Sequence, residues 1–291
     1  MSDADTQQRF LFEHSDVRGD FIRLGASYQA VRERYSYPEA VARQLGQALV
    51  ASTLLSATIK YSGSLVMQIQ SNGPINMLVA QCNHKRHIRG LARWQRDVPA
   101  GGLAQIYGQG RMVITIDNER NDERYQGIVG LDGKVLADAI EGYFKQSEQL
   151  ETRLWLAADE HQAVGMLLQR LPDSRSNDSD LWHRVEMLGA TVTEKELLGL
   201  PAQELLHRLF HEEDVRLFEP EPISFRCSCS REKISTMLKG LGNKEAQSIL
   251  KEQGVIEVGC DFCNQHYTFD NVDVEEIFST ELHTPTSETR H

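Results

Sequence analysis

The first 172 residues combine strand-like alternation with a few helical stretches. Apolar and polar residues alternate from Phe10 to Gly25, as expected for strands that bury one face. Two further alternating runs, 65–70 and 75–80, flank a turn sequence and predict a hairpin. The same pattern predicts additional strands over 105–116, 124–129, 152–157 and 164–171.

Two helices are predicted among these strands. Pro38 suits the first turn of a helix, and apolar residues recur at helical spacing from there to about Tyr61. The alanine and serine content of this stretch favours close packing against a sheet. A second helix is predicted over 135–146, after the turn at Asp132-Gly133.

The pattern changes after Pro172. Residues 174–180 are polar and predict a hinge, and two helical stretches follow. Thr193 and Glu196 have the spacing of a capping box, and Pro201 is placed to open a helix over 202–211. Acidic residues crowd the C-terminal end of that helix, where they oppose the helix dipole. The helix is therefore predicted to be weak by itself.

The C-terminal segment is predicted to alternate short helices and strands. Two helices are expected over 230–239 and 244–253, ended by Gly240 and Gly254. Strands over 255–258 and 267–269, a last helix over 272–278 and a loose tail complete the segment. Because it has few large apolar residues, the segment is predicted to depend on a metal for much of its stability.

Four of the five cysteines form two close pairs in this segment, Cys227-Ser228-Cys229 and Cys260-Asp261-Phe262-Cys263. Each pair lets two sulfurs reach one ion from a tight turn, and the intervening chain brings the second pair round. The spacing predicts a tetrahedral zinc site with Cys227, Cys229, Cys260 and Cys263 as ligands. Four thiolates close the coordination shell and leave no position for a catalytic water, so a zinc hydrolase is disfavoured. Since the sequence also contains no Ser/His/Asp constellation or nucleophile-elbow motif, we predict that the chain is not an enzyme.

Structural disulfides and unbound buried cysteines are the alternatives to metal binding. Met1–Arg9 is polar, with no apolar segment of a signal peptide behind it, and no uninterrupted apolar run approaches the about 18 residues of a membrane span. A cytoplasmic location is therefore expected, where resting thiols stay reduced and clustered ones bind metal. A zinc-bound thiolate stays reactive, and each sulfur has a neighbour able to resolve a sulfenic acid into a disulfide.

Length and charge divide the chain into parts. At 291 residues the chain is longer than is usual for a single hydrophobic core. Residues 1–172 carry as many basic as acidic side chains, so the net charge of −11 lies wholly in 173–291. We predict an α+β protein with an N-terminal mixed α/β-sheet domain over 1–172, an acidic helical linker over 173–222 and a small zinc-binding domain with a disordered tail over 223–291.

Other candidate features are better explained by structure than by chemistry. The basic cluster over 84–96 lies in a domain of zero net charge, which favours a solvated loop over a nucleic-acid contact. His207 and His211 have the i,i+4 spacing of metal ligands, but the sequence offers no third ligand beside them. The four cysteines fill the tetrahedral shell of the zinc ion, so no ligand position is left for His266. Cys82 is predicted to be a small packed or surface thiol.

The cysteine pattern resembles the signature of the 33-kDa heat-shock protein family, the redox-regulated holdase chaperones. Matching segments lie around the cysteines and in the N-terminal half, so the similarity runs over nearly the whole chain. These segments are Asp16-Val17-Arg18-Gly19, Arg124-Tyr125-Gln126-Gly127-Ile128-Val129, Ser147-Glu148-Gln149-Leu150, Arg208-Leu209-Phe210-His211-Glu212-Glu213 and Phe225-Arg226-Cys227-Ser228-Cys229-Ser230-Arg231-Glu232.

The resemblance implies a stress-response chaperone that binds unfolding client proteins without ATP. It also implies that oxidised chains lose zinc, carry the disulfides Cys227–Cys229 and Cys260–Cys263, and form homodimers. One zinc ion per chain is expected in the reduced state. Neither nucleic acid nor a membrane is expected as a partner, because a concentrated negative charge opposes contacts with phosphates.

A zinc-ribbon protein-interaction adaptor, in which the metal is permanently structural, is the competing interpretation. It shares the cysteine spacing and is compatible with the negative charge. A disulfide oxidoreductase is disfavoured, because Cys260-Asp261-Phe262-Cys263 follows a small irregular segment and does not start a helix of a thioredoxin-like unit.

Overall fold

A computed structural model describes residues 5–119, 123–172, 178 and 180–279. The chain forms two compact units, Met1–Arg226 and Cys227–His291. Strands and helices are both abundant, which confirms the predicted α+β class. Across the part of the chain that the structure describes, no helix combines the length and apolar character needed to cross a bilayer.

The strands of the first unit are β1 Thr6–Phe12, β2 Val17–Leu24, β3 Gly63–Ser71, β4 Ile75–Asn83, β5 His87–Trp94, β6 Gly110–Asn118, β7 Glu123–Gly130, β8 Thr152–Ala158, β9 Ala163–Arg170, β10 Val215–Leu217, β11 Glu221–Pro222 and β12 Ser224–Phe225. Its helices are α1 Ala26–Arg32, α2 Glu39–Thr58, α3 Leu103–Tyr107, α4 Leu136–Tyr143, α5 Leu181–Gly189, α6 Glu194–Gly199 and α7 Ala202–Phe210, with a π-helical turn over Phe144–Glu148. The second unit contains α8 Arg231–Leu241, α9 Asn243–Gln253, β13 Ile256–Gly259, β14 His266–Phe269 and α10 Asn271–Ser279.

The first sheet has the order β10-β1-β2-β9-β8, and β11 also pairs with β1. Both faces of this sheet are covered, because successive residues of β9 point to opposite faces and almost all of them are buried. Leu167 faces the core that contains α2, whereas Met166 and Leu168 face a second core formed with α5–α7. The helices α5–α7 are therefore a cover on the outer face of the first sheet.

The second sheet has the order β12-β5-β4-β3-β6-β7. Helix α2 packs against β2, β8 and β9 of the first sheet and against β3, β4 and β5 of the second. Small residues such as Ala48, Ala51 and Ser52 are fully buried there, which lets both sheets approach the helix closely. The prediction of a long helix that packs tightly against a sheet is confirmed, and the helix serves two sheets.

The loop expected over 84–96 is largely strand β5, His87–Trp94, which pairs with β4. Two predicted element bounds were also wrong. The strand expected from residue 105 is preceded by helix α3, because Gly102 caps the helix with its N–H donating to the Gln105 side chain at 3.0 Å and Gly108 ends it at a φ of 59°. In the second unit α8 continues through Gly240 and ends at Gly242, whose φ is 94°. In both places, glycines at the ends of an element decided its bounds.

The segment predicted as a helical linker, 173–222, contains α5–α7 and also the short strands β10 and β11 within its described residues. The capping box is confirmed, since Thr193 Oγ1 accepts from the Glu196 N–H at 3.3 Å and the Glu196 carboxylate accepts from the Thr193 N–H at 3.0 Å. The first compact unit extends to Arg226, because β12 pairs with β5. The division into domain, linker and zinc-binding domain stays a prediction.

Candidate metal centre

The second unit has a small apolar core. Its buried side chains come from α8, α9, α10 and the β13–β14 hairpin, and they are Leu238, Ala246, Leu250, Ile256, Phe269 and Val274. Such a core is thin for independent stability, since small domains bury too little apolar surface to offset their conformational entropy. A further source of stability is therefore expected near this core.

The cysteines lie at the starts and ends of regular elements. Cys227 and Cys229 precede α8, whose N-cap residue Ser230 accepts a hydrogen bond from the Lys233 N–H at 3.3 Å. Cys260 and Cys263 lie in the connection between β13 and β14. The second pair is held in a tight turn, because the Asn264 N–H donates to the Cys260 carbonyl at 2.8 Å and Asn264 adopts a φ of 57°. Asparagine tolerates that left-handed conformation better than most residues.

The fold brings the four sulfurs together. All four Sγ atoms lie within 4.8 Å of one another, with 3.6 Å between Cys227 and Cys260 and 3.3 Å between Cys229 and Cys263. A tetrahedral zinc site with Zn–S bonds of about 2.3 Å places its sulfurs about 3.8 Å apart. The cluster therefore has the size and donor set that a thiolate-bound metal ion needs.

The protonation of the cluster also favours a cation. Burial opposes ionisation of Cys227, but hydrogen bonds from the Cys229 backbone N–H and from neighbouring thiols outweigh it and lower the pKa of Cys227 to about 7. Burial, with the other thiols close by, raises the pKa of Cys263, and burial raises the pKa of Cys260. Several thiolates this close repel one another, so all four sulfurs ionise together only around a positive ion.

Two residues outside the cysteine pairs hold the cluster in place. The Tyr267 hydroxyl donates to Cys229 Sγ at 3.2 Å, and this bond raises the pKa of Tyr267 to about 12. The Arg231 guanidinium lies over the Phe269 ring at 4.3 Å and forms an ion pair with Asp273 at 2.7 Å. Arg231 thereby ties the start of α8 to β14 and α10. Sequence reasoning placed Tyr267 in a strand and missed its role, although its position four residues after Cys263 was a usable signal.

Replacing Tyr267 by phenylalanine should weaken metal binding and preserve the fold. The ring keeps its packing, but the hydrogen bond that orients the Cys229 sulfur is lost, and such losses raise a metal dissociation constant about 10- to 100-fold. Competition with a chromogenic chelator on the reduced protein measures the change. Tyr61→Phe, which removes a hydroxyl hydrogen-bonded in the first unit, is the matched control. Equal zinc affinity in Tyr267→Phe and the unsubstituted protein would contradict a supporting role for this hydroxyl.

The other candidate ligands do not form a site. The rings of His207 and His211 are exposed, and their centroids are 6.0 Å apart. Within the described ranges, the atoms that lie close enough together to share one ion, in a group of three or more, are the sulfurs of the four-cysteine cluster. His266 Nδ1 contacts Glu257 at 2.9 Å. Cys82 is fully buried in the first unit, and burial raises its pKa to about 11, so this thiol is unreactive at neutral pH.

Comparison with known proteins gives consistent matches. The sequence model of the family described as "Hsp33 protein" matches residues 5–270. A 33 kDa chaperonin from Nitrosococcus oceani is 55% identical over 291 residues, and one from Azotobacter vinelandii is 46% identical over 298 residues, with all of each chain covered in both cases. The crystal structure of a 33 kDa chaperonin from Thermotoga maritima superposes on this chain with a TM-score of 0.82 at 24% sequence identity. The superposition covers 96% of this chain and 99% of that chain.

Proposed function

This chain belongs to the Hsp33 protein family, and on that premise we propose that it is a redox-regulated chaperone which holds unfolding proteins without ATP. The observation that carries the proposal is the convergence of Cys227, Cys229, Cys260 and Cys263 in a unit with a thin core. The same four residues act as metal ligands in the reduced state and as redox sensors under oxidative stress. The protein acts by binding and catalyses no reaction.

In the reduced state the four thiolates hold one zinc ion. Bound in such a site, zinc supplies folding free energy of about 10 kcal/mol or more at neutral pH. The Cys229 backbone N–H favours the ionised form of the Cys227 sulfur, and the Tyr267 hydroxyl donates to the Cys229 sulfur. The core around Leu238 and Phe269 then needs to contribute little more for the second unit to stay folded.

Oxidation removes the ligands two at a time. One thiolate attacks an oxygen of hydrogen peroxide, the O–O bond breaks, and a sulfenic acid and hydroxide form. A neighbouring thiolate then attacks the sulfenic sulfur and releases a second hydroxide as the disulfide closes. Each disulfide thus passes two electrons to one peroxide. After two such reactions no thiolate is left to bind the metal, and the second unit loses its main source of stability.

The disulfides that the family resemblance implies are Cys227–Cys229 and Cys260–Cys263. The sulfurs of Cys227 and Cys260, and those of Cys229 and Cys263, are close as well, at 3.6 Å and 3.3 Å. We propose that each disulfide forms within its own short segment, because this pairing leaves the two segments unlinked and free to separate. Peptide mapping of the oxidised protein distinguishes the two patterns.

The client surface is proposed to be the outer face of the first sheet under α5–α7. It presents a continuous apolar group from β1, β2 and β9, namely Phe10, Phe12, Phe21, Val164, Met166 and Leu168. The buried Arg23 side chain also holds the cover, because it donates to the Leu198 carbonyl at 2.7 Å and the Leu200 carbonyl at 2.6 Å. Detachment of the cover would expose an apolar face that suits unfolding chains, which present apolar segments of many sequences.

The path from the cysteines to the cover consists of very short strands. Ser224–Phe225 pairs with β5, Glu221–Pro222 pairs with β1, and Cys227 follows Phe225 by two residues. Two-residue strands contribute few hydrogen bonds. We propose that loss of folded structure from Cys227 onward lets these strands separate and the cover detach. The negative charge concentrated in 173–291 favours this separation through self-repulsion.

The family resemblance supports the rest of the proposal. It suggests a cytoplasmic protein that forms homodimers when oxidised, with unfolding proteins as its partners. Nucleic acid and membranes are not proposed as partners, because the net charge of −11 opposes contacts with phosphates.

Treatment with hydrogen peroxide at mildly raised temperature tests the function. Reduced, zinc-loaded protein should release about one equivalent of zinc to a chromogenic chelator, lose four thiols in 227–263, and begin to suppress light scattering by a heat-aggregating client. Cys82→Ala should respond in the same way. Zinc retention, or zinc release without any gain in aggregation suppression, would support the adaptor with permanently structural zinc.

A further inference from the structure

The strap, residues 223–226, is an extended segment at the edge of the second sheet. Strand β12 within it pairs in parallel with β5, and among the described residues no strand of this sheet lies beyond it. Ile223 is buried and Phe225 is half-buried, whereas the residue that follows each of them is exposed. The strap therefore alternates as a strand does, with one face directed into the protein.

The four main-chain N–H groups of the strap all donate hydrogen bonds, alternately to the two walls of a cleft. One wall is β5 with the residue before it, and the other is the segment before β1 together with α1. In chain order, the acceptors are the Asp5 carbonyl at 2.9 Å, the Arg86 carbonyl at 3.2 Å, Ser27 Oγ at 3.0 Å and the Ile88 carbonyl at 3.0 Å. Because the donors belong to the main chain, this recognition does not depend on the sequence of the bound segment, provided that it lacks proline.

The side chains of the strap add preferences to this main-chain recognition. Ile223 is 5% exposed and belongs to the core that contains α2. The Phe225 ring packs against the same core, and the Arg34 guanidinium lies 5.2 Å from the centroid of that ring. Two residues before Ile223, Glu221 forms an ion pair with Arg86 at 2.7 Å. The cleft thus favours an aliphatic residue, an aromatic residue two positions later and an acidic residue two positions earlier.

The cleft opens when the strap leaves it. This opening rests on the proposed function, in which loss of folded structure from Cys227 onward frees the short strands before it. Departure of Ile223 leaves an apolar gap in the core, which is unfavourable until another side chain fills it. Strand β5 becomes an unpaired edge at the same time, and such edges pair readily with another extended chain.

We propose that the opened cleft binds an extended segment of an unfolding client, which takes the place of the strap beside β5. The bound segment repeats the pattern of the strap, with its aliphatic and aromatic side chains in the positions of Ile223 and Phe225 and an acidic side chain beside Arg86. Unfolding proteins present such segments, whereas folded proteins keep them paired within their own sheets. This contact on the second sheet is separate from the apolar face under α5–α7.

A peptide with the sequence of residues 219–226 tests the proposal by fluorescence anisotropy. It should bind the oxidised full chain about tenfold or more tightly than the reduced, zinc-loaded chain, in which the strap competes as an intramolecular ligand. Ile223→Ser in the peptide should weaken binding about 10- to 100-fold, because this side chain enters the core. Ser224→Pro in the peptide removes the donor to the Arg86 carbonyl and should weaken binding about tenfold. Ser224→Ala changes an exposed side chain only and should leave binding unchanged.

A substitution in the full chain tests the cleft without oxidation. Ile223→Ser removes the side chain that anchors the strap, so the reduced, zinc-loaded variant should bind the unsubstituted peptide. Ser224→Ala in the full chain is the control and should bind no more peptide than the unsubstituted reduced chain. Peptide binding to the Ile223→Ser chain alone would support the cleft and contradict release of the strap by oxidation, on which the proposed function depends.

Three results would overturn the proposal. The first is failure of the peptide to bind either the oxidised chain or the Ile223→Ser chain, even where the oxidised chain suppresses client aggregation as the proposed function requires. The second is undiminished suppression of client aggregation in the presence of saturating peptide. The third is conversion of oxidised dimers into monomers by the peptide, which would assign the cleft to the strap of a second copy.

Discussion

Cys260→Ser should release zinc and unfold the second unit even under reducing conditions. A serine hydroxyl stays protonated at neutral pH, so one of the four charged ligands is lost, and with it much of a binding free energy of about 10 kcal/mol or more. The core around Leu238 and Phe269 is too thin to replace that contribution. Zinc content after dialysis against a chelator should fall from about one to near zero per chain. Limited proteolysis should cleave within residues 227–279 and spare the first unit.

Cys82→Ala is the control for this variant. It also removes one thiol, but from the buried core of the first unit, so it should keep full zinc content and a protected second unit. If Cys260→Ser keeps stoichiometric zinc and resists protease across the second unit, the metal is not the source of that unit's stability. The proposed redox mechanism would then lose its physical basis.

Phe210→Ala should produce chaperone activity without oxidation. The Phe210 side chain is 1% exposed, and its ring packs edge-on against Phe12 with centroids 5.2 Å apart. Truncating a phenylalanine at such a site costs about 3–5 kcal/mol. Because this contact joins α7 to the first sheet, the variant should populate the detached cover about 10²- to 10⁴-fold more often. Hydrogen exchange across α5–α7 should accelerate, and the reduced, zinc-loaded variant should suppress client aggregation.

Met187→Ala is the matched control in the same cover. Its side chain on α5 is 60% exposed, so truncation should change neither exchange nor activity. Faster exchange in Phe210→Ala without any suppression of aggregation would place the client surface elsewhere than the outer face of the first sheet. Zinc content should stay at about one per chain in both variants, which separates this result from that of Cys260→Ser.

Local signals in the sequence were sufficient for much of the fold. The capping box of Thr193 and Glu196, the hairpin around residues 71–74 and the alternation at the start of β8 depend on residues close together in the chain. Two helix ends were mispredicted, because residues 105–107 were assigned to a strand although Gly108 ends helix α3, and Gly240 was taken as the end of a helix that continues to Leu241. At both helix ends the capping glycine adopts a positive φ, a conformation that glycine reaches at little steric cost.

The cover on the first sheet was harder to predict. Helices α6 and α7 were expected from the sequence, but α5 and the packing of all three helices against β1, β2 and β9 were not. Adjacent apolar residues in β9, such as Met166, Leu167 and Leu168, were the available signal, because a strand buried on both faces has no alternation. The strands β10, β11 and β12 are two or three residues long, and pairing at that length leaves no pattern to read.

The sequence by itself predicted the four-cysteine cluster, because two pairs of cysteines at close spacing can bring four sulfurs to one ion through short-range turns alone. Only the tertiary structure decided that Tyr267 contacts the Cys229 sulfur, that an apolar face lies under α5–α7, and that Arg18 donates to Gln169. Arg18 meets Gln169 from 151 residues away, and Phe12 meets Phe210 across nearly the whole first unit. Such contacts arise from the joint packing of two sheets around α2, which local sequence patterns do not encode.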